Sequence, residues 1–562
     1  MVDSGEASMT GADLLVKILK AEGVRQCLCF PMTPIIEAVA RAGMRVITTR
    51  QERVAGNMAD GVSRSTNGRE IGVFTVQALA GSENAFAGVA QAHTDSSPVL
   101  FLPGHPGTSY VDQAPTFDSK ANYAATTKMA QKVLAADHMP IKLRQAFTAL
   151  RSGRPQPVML ELLGDACAGE VNGAPQYWTV PRMRSAADDG AVREAAERLL
   201  AAETPLIWAG QGVLWAEASD ELREVAELLG APAMTTLQGK SAIPEAHPLA
   251  AGVGALSTTA MAAHYLQASD CVLAVGSSLT RAPFTPTIPD GKTIIHATVD
   301  PIDINKEYAA AVGIVADAKL FLAQLVAELR RQLSEDGGDG RAERRAETAD
   351  TIARIKGEWR AEYEPLFADD SAPINGYRMM RELWSVLDPE TSMLTHESGA
   401  SRDIQSVFYE SGPPRSYLGW GQSSQLGFSL GLAMGAKLAN PDKLVVNVMG
   451  DASVGMTGMD WETASRNDIP ILTVIKHDSI FSGYDRNIPE ASARFEANRQ
   501  EGDYATIAAS LGCHAETVTE PAALRPALER AIHATNEGQP AVVDVITAET
   551  RKLSRLAPTS IG

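Results

Sequence analysis

Cysteine is scarce in this chain of 562 residues: Cys27, Cys29, Cys167, Cys271 and Cys513, odd in number and mostly far apart. That is a poor disulfide framework and predicts a reducing compartment. Cys27 and Cys29 share the apolar run CLCF, where thiols of a strand fit better than metal ligands. Positive charge is also in deficit, with 50 Lys and Arg against 68 Asp and Glu, a formal net charge of −18. This balance opposes nonspecific binding to nucleic acid or to an anionic membrane, but leaves room for an anionic cofactor held by a local cation and backbone N–H groups. A basic leader is missing: the chain opens MVDSGEASMTGADLLVKILKAEGV, acidic where a signal peptide needs positive charge, so a cytoplasmic protein is expected. Long apolar runs are missing as well. No stretch reaches the roughly 18 residues of a membrane span, and the nearest candidate, 426–438, is rich in Gly and broken by Ser429 and Lys437.

What is present is an ordinary globular composition, 45% hydrophobic and 21% charged, with length for several buried cores. Short β-rich runs alternate with longer Ala/Leu/Glu-rich stretches of helical period, the pattern of an α/β protein built from doubly wound parallel sheets. Three such domains are expected. The first spans 10–172, with strands at RQCLCF, RVITT, IGVFTV, PVLFLP and PVMLEL; the second spans 187–332, with strands at PLIWAG, APAMTT, CVLAVG and TIIHATVD. Residues 333–373 read as a linker and helix, the charged stretch 334–350 being its solvated part. The third domain spans 374–550, with strands at SMLTH, SYLGW, LVVNVMG, ILTVIKHD and AVVDVIT, and 551–562 form a C-terminal tail. Sliding the first block over the third until Pro98 stands opposite Pro470 sets IGVFTV beside LVVNV and SSPVLFL beside DIPILTV, as expected of distant copies of one unit.

The strongest local signal is MGDASVGMTGMDWETASRNDIPILTVIKHD. A buried strand ends at Gly450-Asp451, a helix follows, and the next strand ends at Asp478, so two carboxylates meet at one edge of a parallel sheet. Ligands bind open α/β sheets at the carboxyl ends of the strands. Gly450 permits close backbone approach, the N–H groups of Ala452 and Ser453 suit a phosphate, and two carboxylates with phosphate oxygens and water suit Mg²⁺. The same spacing also fits Asp451 as a helix cap and Asp478 as a strand terminus.

Gly450-Asp451, followed by Asp478 in KHD at the end of the next strand, resembles the motif of thiamine diphosphate-dependent enzymes, which opens with Gly-Asp and closes with Asn or Asn-Asn. TTRQERVAGNMADGVSR at 48–64 resembles the segment with the activating glutamate, LAGSEN at 79–84 stands at the family's Gly-Pro-Gly-Ala-Thr-Asn turn, and SSQLGFSLGLAMGAKLANP at 423–441 resembles the segment supporting the cofactor's folded shape. The order of blocks is that of the acetolactate synthase, oxalyl-CoA decarboxylase, 2-hydroxyacyl-CoA lyase and benzaldehyde lyase group: pyrimidine-binding, central and diphosphate-binding domains.

The resemblance implies thiamine diphosphate and Mg²⁺. Glu52 is the implied catalytic residue, bonding the pyrimidine N1′ from a dry pocket that raises its proton affinity. Ser424, Leu426, Gly450, Asp451, Ala452, Ser453, Asp478 and Ile480 are the implied cofactor-binding set, with Leu426 between the cofactor's two rings and Asp451, Asp478 and Ile480 holding the metal. Phe30, Met32, Gln77, His105, Phe481 and Tyr484 are candidates to face substrate. His105 stands where synthases of this group carry glutamine, and a plain loop histidine remains the alternative. The implied activity is a lyase or transferase that forms or breaks a carbon–carbon bond beside a carbonyl, most simply an acetolactate-synthase-like carboligase acting on a small 2-oxo acid. A 2-hydroxyacyl-CoA lyase or oxalyl-CoA-decarboxylase-like enzyme is the alternative, and a cofactor-binding homologue without turnover a third. A homodimer or homotetramer follows too, since such sites take the first domain of one subunit and the third of another.

Departures from the pattern narrow this. His477-Asp478 replaces Asn-Asn, which adds a carboxylate and sets a histidine either to titrate near the site or to act structurally. LAGSEN lacks the usual proline and places Glu83 at the family's threonine. No His-His pair of the pyruvate-decarboxylase kind is present, against simple aldehyde release. WAGQGV, GSSLTRAPF and TVDPIDI in the central block resemble a nucleotide-type fold without a clean G-x-G-x-x-G, leaving FAD or ADP there open. Arg402, Arg415, Arg486 and Arg551 are available to an anionic substrate or a CoA phosphate.

Overall fold

Apolar runs bounded by turn residues pair side by side into three six-stranded sheets, in which every strand pairing is parallel. The computed structural model describes residues 9–171, 173, 175–335 and 340–557. The chain before Met9, Asn172, Ala174, positions 336–339 of the expected linker and 558–562 of the expected tail lie outside them.

The first sheet holds β1 (Gln26–Cys29), β2 (Arg45–Thr48), β3 (Gly72–Val76), β4 (Val99–His105), β5 (Met129–Val133) and β6 (Val158–Leu163), in the order β2-β1-β3-β4-β6-β5. The second holds β7 (Pro205–Ala209), β8 (Ala233–Thr236), β9 (Ala250–Gly254), β10 (Cys271–Val275), β11 (Thr293–Thr298) and β12 (Val312–Val315), in the order β12-β11-β10-β7-β8-β9. The third holds β13 (Ser392–His396), β14 (Tyr417–Leu418), β15 (Leu444–Gly450), β16 (Leu472–His477), β17 (His514–Val518) and β18 (Ala541–Ile546), in the order β14-β13-β15-β16-β18-β17.

The first and third sheets have the same strand order. The alignment that sets Pro98 on Pro470 also carries Gly72, which opens β3, onto Leu444, which opens β15, and His105, the last residue of β4, onto His477, the last of β16. The repeat inferred from sparse residue matches is therefore present as topology. In each of these sheets the order reverses direction between two neighbouring strands, β1 and β3 in the first, β13 and β15 in the third, opening a crevice at the strand ends.

Every sequence-predicted strand forms, although SYLGW shortens to the pair Tyr417–Leu418. Four further strands, β5, β9, β12 and β17, were not expected. The charged stretch 334–350 is not a solvated linker throughout: a helix, Arg341–Phe367, begins within it. Its Ala, Glu and Arg residues are good helix formers, and Ile352, Trp359, Tyr363 and Phe367 supply the buried stripe that holds the helix. The tail is tied down as far as it is described, the Ser554 hydroxyl donating to the Thr258 carbonyl at 2.8 Å. All five cysteines are buried and unpaired by disulfide.

The chain divides into two compact units. One contains the first sheet, residues up to 183, with Leu430–Pro441 and Met459–Ile469; the other contains the second and third sheets. Within the former, the helix Glu52–Ser65 is buried almost end to end. Arg64 sits inside it between Asp60 at 2.7 Å and Asp95 at 3.5 Å, so three buried charges satisfy one another. Its far face meets residues 431–435, where no side chain fits: a Cβ on Gly61 would lie 2.3 Å from the Leu432 carbonyl oxygen, and one on Gly435 would lie 2.0 Å from that of Met58. Both obstacles are backbone and cannot rotate away. Gly435→Ala is expected to cost about 2 kcal/mol or more through forced separation of these segments, seen as a lowered midpoint of urea unfolding; an unchanged midpoint would contradict this crossing.

Candidate active site at the sheet edges

At the switch point of the third sheet, β13 runs out into Glu397 and β15 into Gly450-Asp451, with Asp478 one strand further on, after β16. Asp451 does not cap its helix. Gly450 is the N-cap, and the Asp451 carboxylate instead reaches sideways, accepting from the Ala452 N–H at 2.8 Å, the Ser479 N–H at 2.7 Å and Gln500 Nε2 at 2.9 Å. Burial raises its pKa and the Asp478 charge raises it further, against those N–H donors. Two carboxylates that repel each other at a partly dry sheet edge are the electrostatic setting a divalent cation relieves.

The spacing of the glycines separates packing from ligand space. A Cβ on Gly427 would strike Thr457 at 2.7 Å, so this chain itself requires that glycine. A Cβ on Gly450 would find nothing nearer than the Lys476 carbonyl oxygen at 4.0 Å, and one on Gly455 would find nothing within 4 Å. Backbone left open beside two carboxylates fits a phosphate–metal group.

Asp478 is only partly available. Its Oδ2 accepts from Lys476 Nζ at 2.6 Å and from the Ser482 hydroxyl at 2.7 Å, while Oδ1 has no partner among the described residues. Ile480 can offer only its backbone. It lies in a short antiparallel bridge with Arg499, which fixes the loop after β16. His477, left open between a titrating and a structural role, has both ring nitrogens occupied: Nδ1 contacts Asp544 at 3.0 Å and Nε2 the Ser479 hydroxyl at 3.0 Å. Burial works against its imidazolium, but the Asp544 bond and charge, with Asp451 and Asp478, raise its pKa overall. The chain Asp544–His477–Ser479 holds Ser479 at φ +57°, which turns its N–H to Asp451.

The Ser424–Leu426 segment has an anchor that the sequence did not disclose. Glu397 accepts at Oε2 from the Gly427 N–H at 2.9 Å, the Ser429 N–H at 3.4 Å and the Ser429 hydroxyl at 2.9 Å, and Thr457 donates to the Gly427 carbonyl at 3.0 Å. Ser424 is exposed and Leu426 half-buried just before this clamp. Glu397 is fully buried with Oε1 unpartnered among the described residues, and burial pushes its pKa up to about 7 against the donors of Ser429, Gly427 and Ser398. A lone glutamate after SMLTH gives little sequence signal.

On the other unit, Glu52 opens its buried helix, with Asn84 Nδ2 at 3.4 Å from Oε1. The loop before it is pinned by Asp460, which accepts the Arg50 N–H at 2.8 Å, and by Arg466, which donates to the Thr48 carbonyl at 2.7 Å. Burial raises the Asp460 pKa to about 6. Phe30, Gln77 and His105 follow or end the adjacent strands β1, β3 and β4, so they share one edge of the first sheet; Met32 lies beneath, accepting from the Thr75 hydroxyl at 3.1 Å. His105 Nδ1 accepts the Gly107 N–H at 3.2 Å. Phe481 and Tyr484 meet with their rings tilted at 54°, centroids 5.9 Å apart, after β16.

The arginines are largely spoken for. Arg402 is buried, paired through Nε with Asp403 at 2.8 Å and lying over the Trp420 ring at 4.9 Å, and Arg551 pairs with Glu549 and Asp485. In the second sheet the GQG glycines serve packing: a Cβ on Gly210 would lie 2.2 Å from the Gly276 carbonyl oxygen, and one on Gly212 2.6 Å from the Gly276 Cα. Among the described residues no cluster of three or more His, Cys, Asp or Glu is arranged for a metal, and no helix is long and apolar enough to cross a membrane.

Strand-end carboxylates, a switch point and open glycine backbone define a ligand-binding α/β sheet edge. Three family models match in succession: the N-terminal TPP binding domain of thiamine pyrophosphate enzymes over residues 9–134, the central domain over 192–325 and the C-terminal TPP binding domain over 398–545. The chain belongs to the thiamine pyrophosphate enzyme family. It is 29% identical to a probable acetolactate synthase large subunit of Methanocaldococcus jannaschii, covering 98% of this chain and 94% of that one. It is 28% identical to a glyoxylate carboligase of Escherichia coli O157:H7, covering 98% and 95%, and 28% identical to the acetolactate synthase isozyme 3 large subunit of Escherichia coli K12, covering 83% and 82%.

Glu397 provides a pH test. Its folded pKa of about 7 lies above the ordinary 4.5, so the stability its protonated form supports is intact at low pH and is lost as pH rises through this window. Between pH 5 and 8 the unfolding free energy of wild type is expected to fall relative to that of Glu397→Gln by an amount on the order of 2 kcal/mol. Urea titrations at the two pH values measure this, and a pH-independent difference would refute it.

Proposed function

We propose that this chain is a thiamine diphosphate- and Mg²⁺-dependent carboligase of the acetolactate synthase kind, acting on a small 2-oxo acid. The observation that carries the reading is the pairing of Asp451 with Asp478 beside the open backbone of Gly450 at the switch point of the third sheet. When bound, thiamine diphosphate supplies a nucleophilic carbon and stores the electron pair released when a bond beside a carbonyl breaks.

The protein's part is to hold and orient. Asp451, Asp478 and the Ile480 backbone take the cation, while the Ser453 N–H meets the diphosphate and the Ala452 N–H, given to Asp451, orients that carboxylate. Glu52, buried at the head of its helix, shares a proton with the pyrimidine N1′. Leu426 and the Ser424 carbonyl set the cofactor's fold, held by the clamp that Glu397 and Thr457 make on Gly427. Phe30, Gln77, His105, Phe481 and Tyr484 line the substrate side and exclude water. The same reading gives a cytoplasmic homodimer or homotetramer with domains 10–172, 187–332 and 374–550. Each site would then join Glu52 of one subunit to Asp451 of the other. FAD or ADP binding is not part of the proposal, because Gly210, Gly212 and Gly276 are occupied with one another.

Incubation with thiamine diphosphate, Mg²⁺ and pyruvate or glyoxylate, followed by proton NMR, is expected to yield CO₂ and a joined hydroxy-oxo acid. Turnover only of 2-hydroxyacyl- or oxalyl-CoA would move the chain to the lyase or decarboxylase reading. Cofactor binding without turnover of either class would make it a homologue without activity. Glu52→Gln is expected to lower kcat by about 100-fold or more while the fold persists. Mixing Glu52→Gln with Asp451→Ala after reversible dissociation is expected to restore part of the activity, since some hybrid sites then hold both intact residues; no recovery would argue against shared sites.

A further inference from the structure

The segment Lys476-His477-Asp478 replaces a neutral amide side chain with a carboxylate, and the structure shows what accompanies that change. Lys476 and Asp478 are on the same side of the β16 terminus, their side chains 4% and 5% exposed and their charged atoms 2.6 Å apart. Lys476 pairs in register with Gly450, so the ammonium belongs to the same edge as Asp451. Its stem has a bounded course: a Cβ on Gly376 would lie 3.2 Å from Lys476 Cε and 2.7 Å from the Thr550 hydroxyl. A glycine at the first position of the helix Gly376–Ser385 leaves that stem its room.

We propose that Lys476 is a positioning residue that balances Asp478, so that the pair presents the proposed cation with the net charge and single ligand oxygen of an amide. Two of the observations bear on this directly. With Lys476 and Ser482 both on Oδ2, Oδ1 is left without a partner among the described residues, and it is therefore the oxygen offered to a cation. In charge, Asp451, Asp478 and Lys476 sum to a single negative charge, the same as one aspartate beside a neutral side chain. Without Lys476, two buried carboxylates and a diphosphate would crowd together, and the repulsion already evident at Asp451 would grow. Partners that orient and neutralise a metal ligand ordinarily shift metal affinity by about 10–100-fold.

The inference rests on the reading that Asp451 and Asp478 hold Mg²⁺, and the test separates the two. Thiamine diphosphate binding is followed by calorimetry over a series of Mg²⁺ concentrations, with folding checked by circular dichroism, for wild type, Asp478→Asn, Lys476→Met, the double variant Lys476→Met/Asp478→Asn, and Asp451→Ala. Asp478→Asn leaves the ammonium unopposed and is expected to raise the half-saturating Mg²⁺ concentration about tenfold or more. Lys476→Met, which leaves Asp478 without its orienting partner and the diphosphate facing two uncompensated carboxylates, is expected to raise it severalfold as well. The double variant is expected to return to within about threefold of wild type, because amide and apolar stem reproduce the neutral arrangement. A double variant as weak as Asp478→Asn would overturn the proposal. Should the double variant not fold, Lys476→Met alone decides, and an unchanged or lowered half-saturating Mg²⁺ would overturn the proposal. If Asp451→Ala binds the cofactor with unchanged Mg²⁺ dependence, the cation site itself is misplaced, and the charge-pair inference falls with it.

Discussion

Parallel pairing imposes one constraint from which the rest of this molecule follows. Neighbouring strands that run the same way must be joined by crossovers, so every strand delivers its carboxyl end to the same edge. Where the strand order reverses, the crossovers leave on opposite faces and the edge opens. The third sheet reverses between β13 and β15, and the residues that follow those strands are Glu397 and Gly450-Asp451. Glu397, Asp451 and Asp478 are separated by whole crossovers along the chain, and they collapse to one edge for that reason alone.

At that edge, electrostatics are handled locally. Each carboxylate has a different solution: Asp451 collects N–H donors, Asp478 takes an ammonium, and Glu397 retains its proton up to about pH 7. The three are not interchangeable. Asp451 is held as an acceptor by three N–H donors, two from backbone and one from Gln500, against burial and the Asp478 charge. Glu397 spends one oxygen on holding a turn and leaves the other buried without a partner among the described residues, an arrangement far less costly for a neutral carboxylic acid than for an anion.

What could be read from the sequence was whatever depends on local pattern. Buried parallel strands are continuous apolar runs, so LVVNVMG and PVLFLP declare themselves, and the Gly-Asp turn and QER segment carried their resemblance on adjacent residues. Four strands escaped because their patterns are mixed. MAQKV of β5 sets Gln131 and Lys132 among apolar residues at a half-buried sheet edge, β17 has a glutamate in its centre, β9 is mostly Ala and Gly, and β12 alternates buried and exposed positions with a glycine among its four residues. The clamp of Glu397 on Gly427 and the pairing of Lys476 with Asp478 escaped for another reason: the first joins distant parts of the chain and the second depends on side chains of one strand end turning the same way. Neither leaves a spacing rule to follow. A helix was expected within 333–373, but its start at Arg341 was hidden by charge, since the same Arg, Glu and Ala residues suit a solvated linker and an exposed helix face equally.

The shared strand order of the first and third sheets gives each edge position a counterpart within the same chain. The alignment that superposes His105 on His477 also sets Leu79, at φ +59°, opposite Asp451, and Glu52 opposite Ser424. The third-sheet copy is acidic where the first is apolar, and the first carries a carboxylate at the head of a helix where the third carries a hydroxyl. Differences between the two sheets at matched positions thus separate what the shared topology requires from what the site's chemistry requires, so that the chain holds an internal reference against which its own specialisation can be measured.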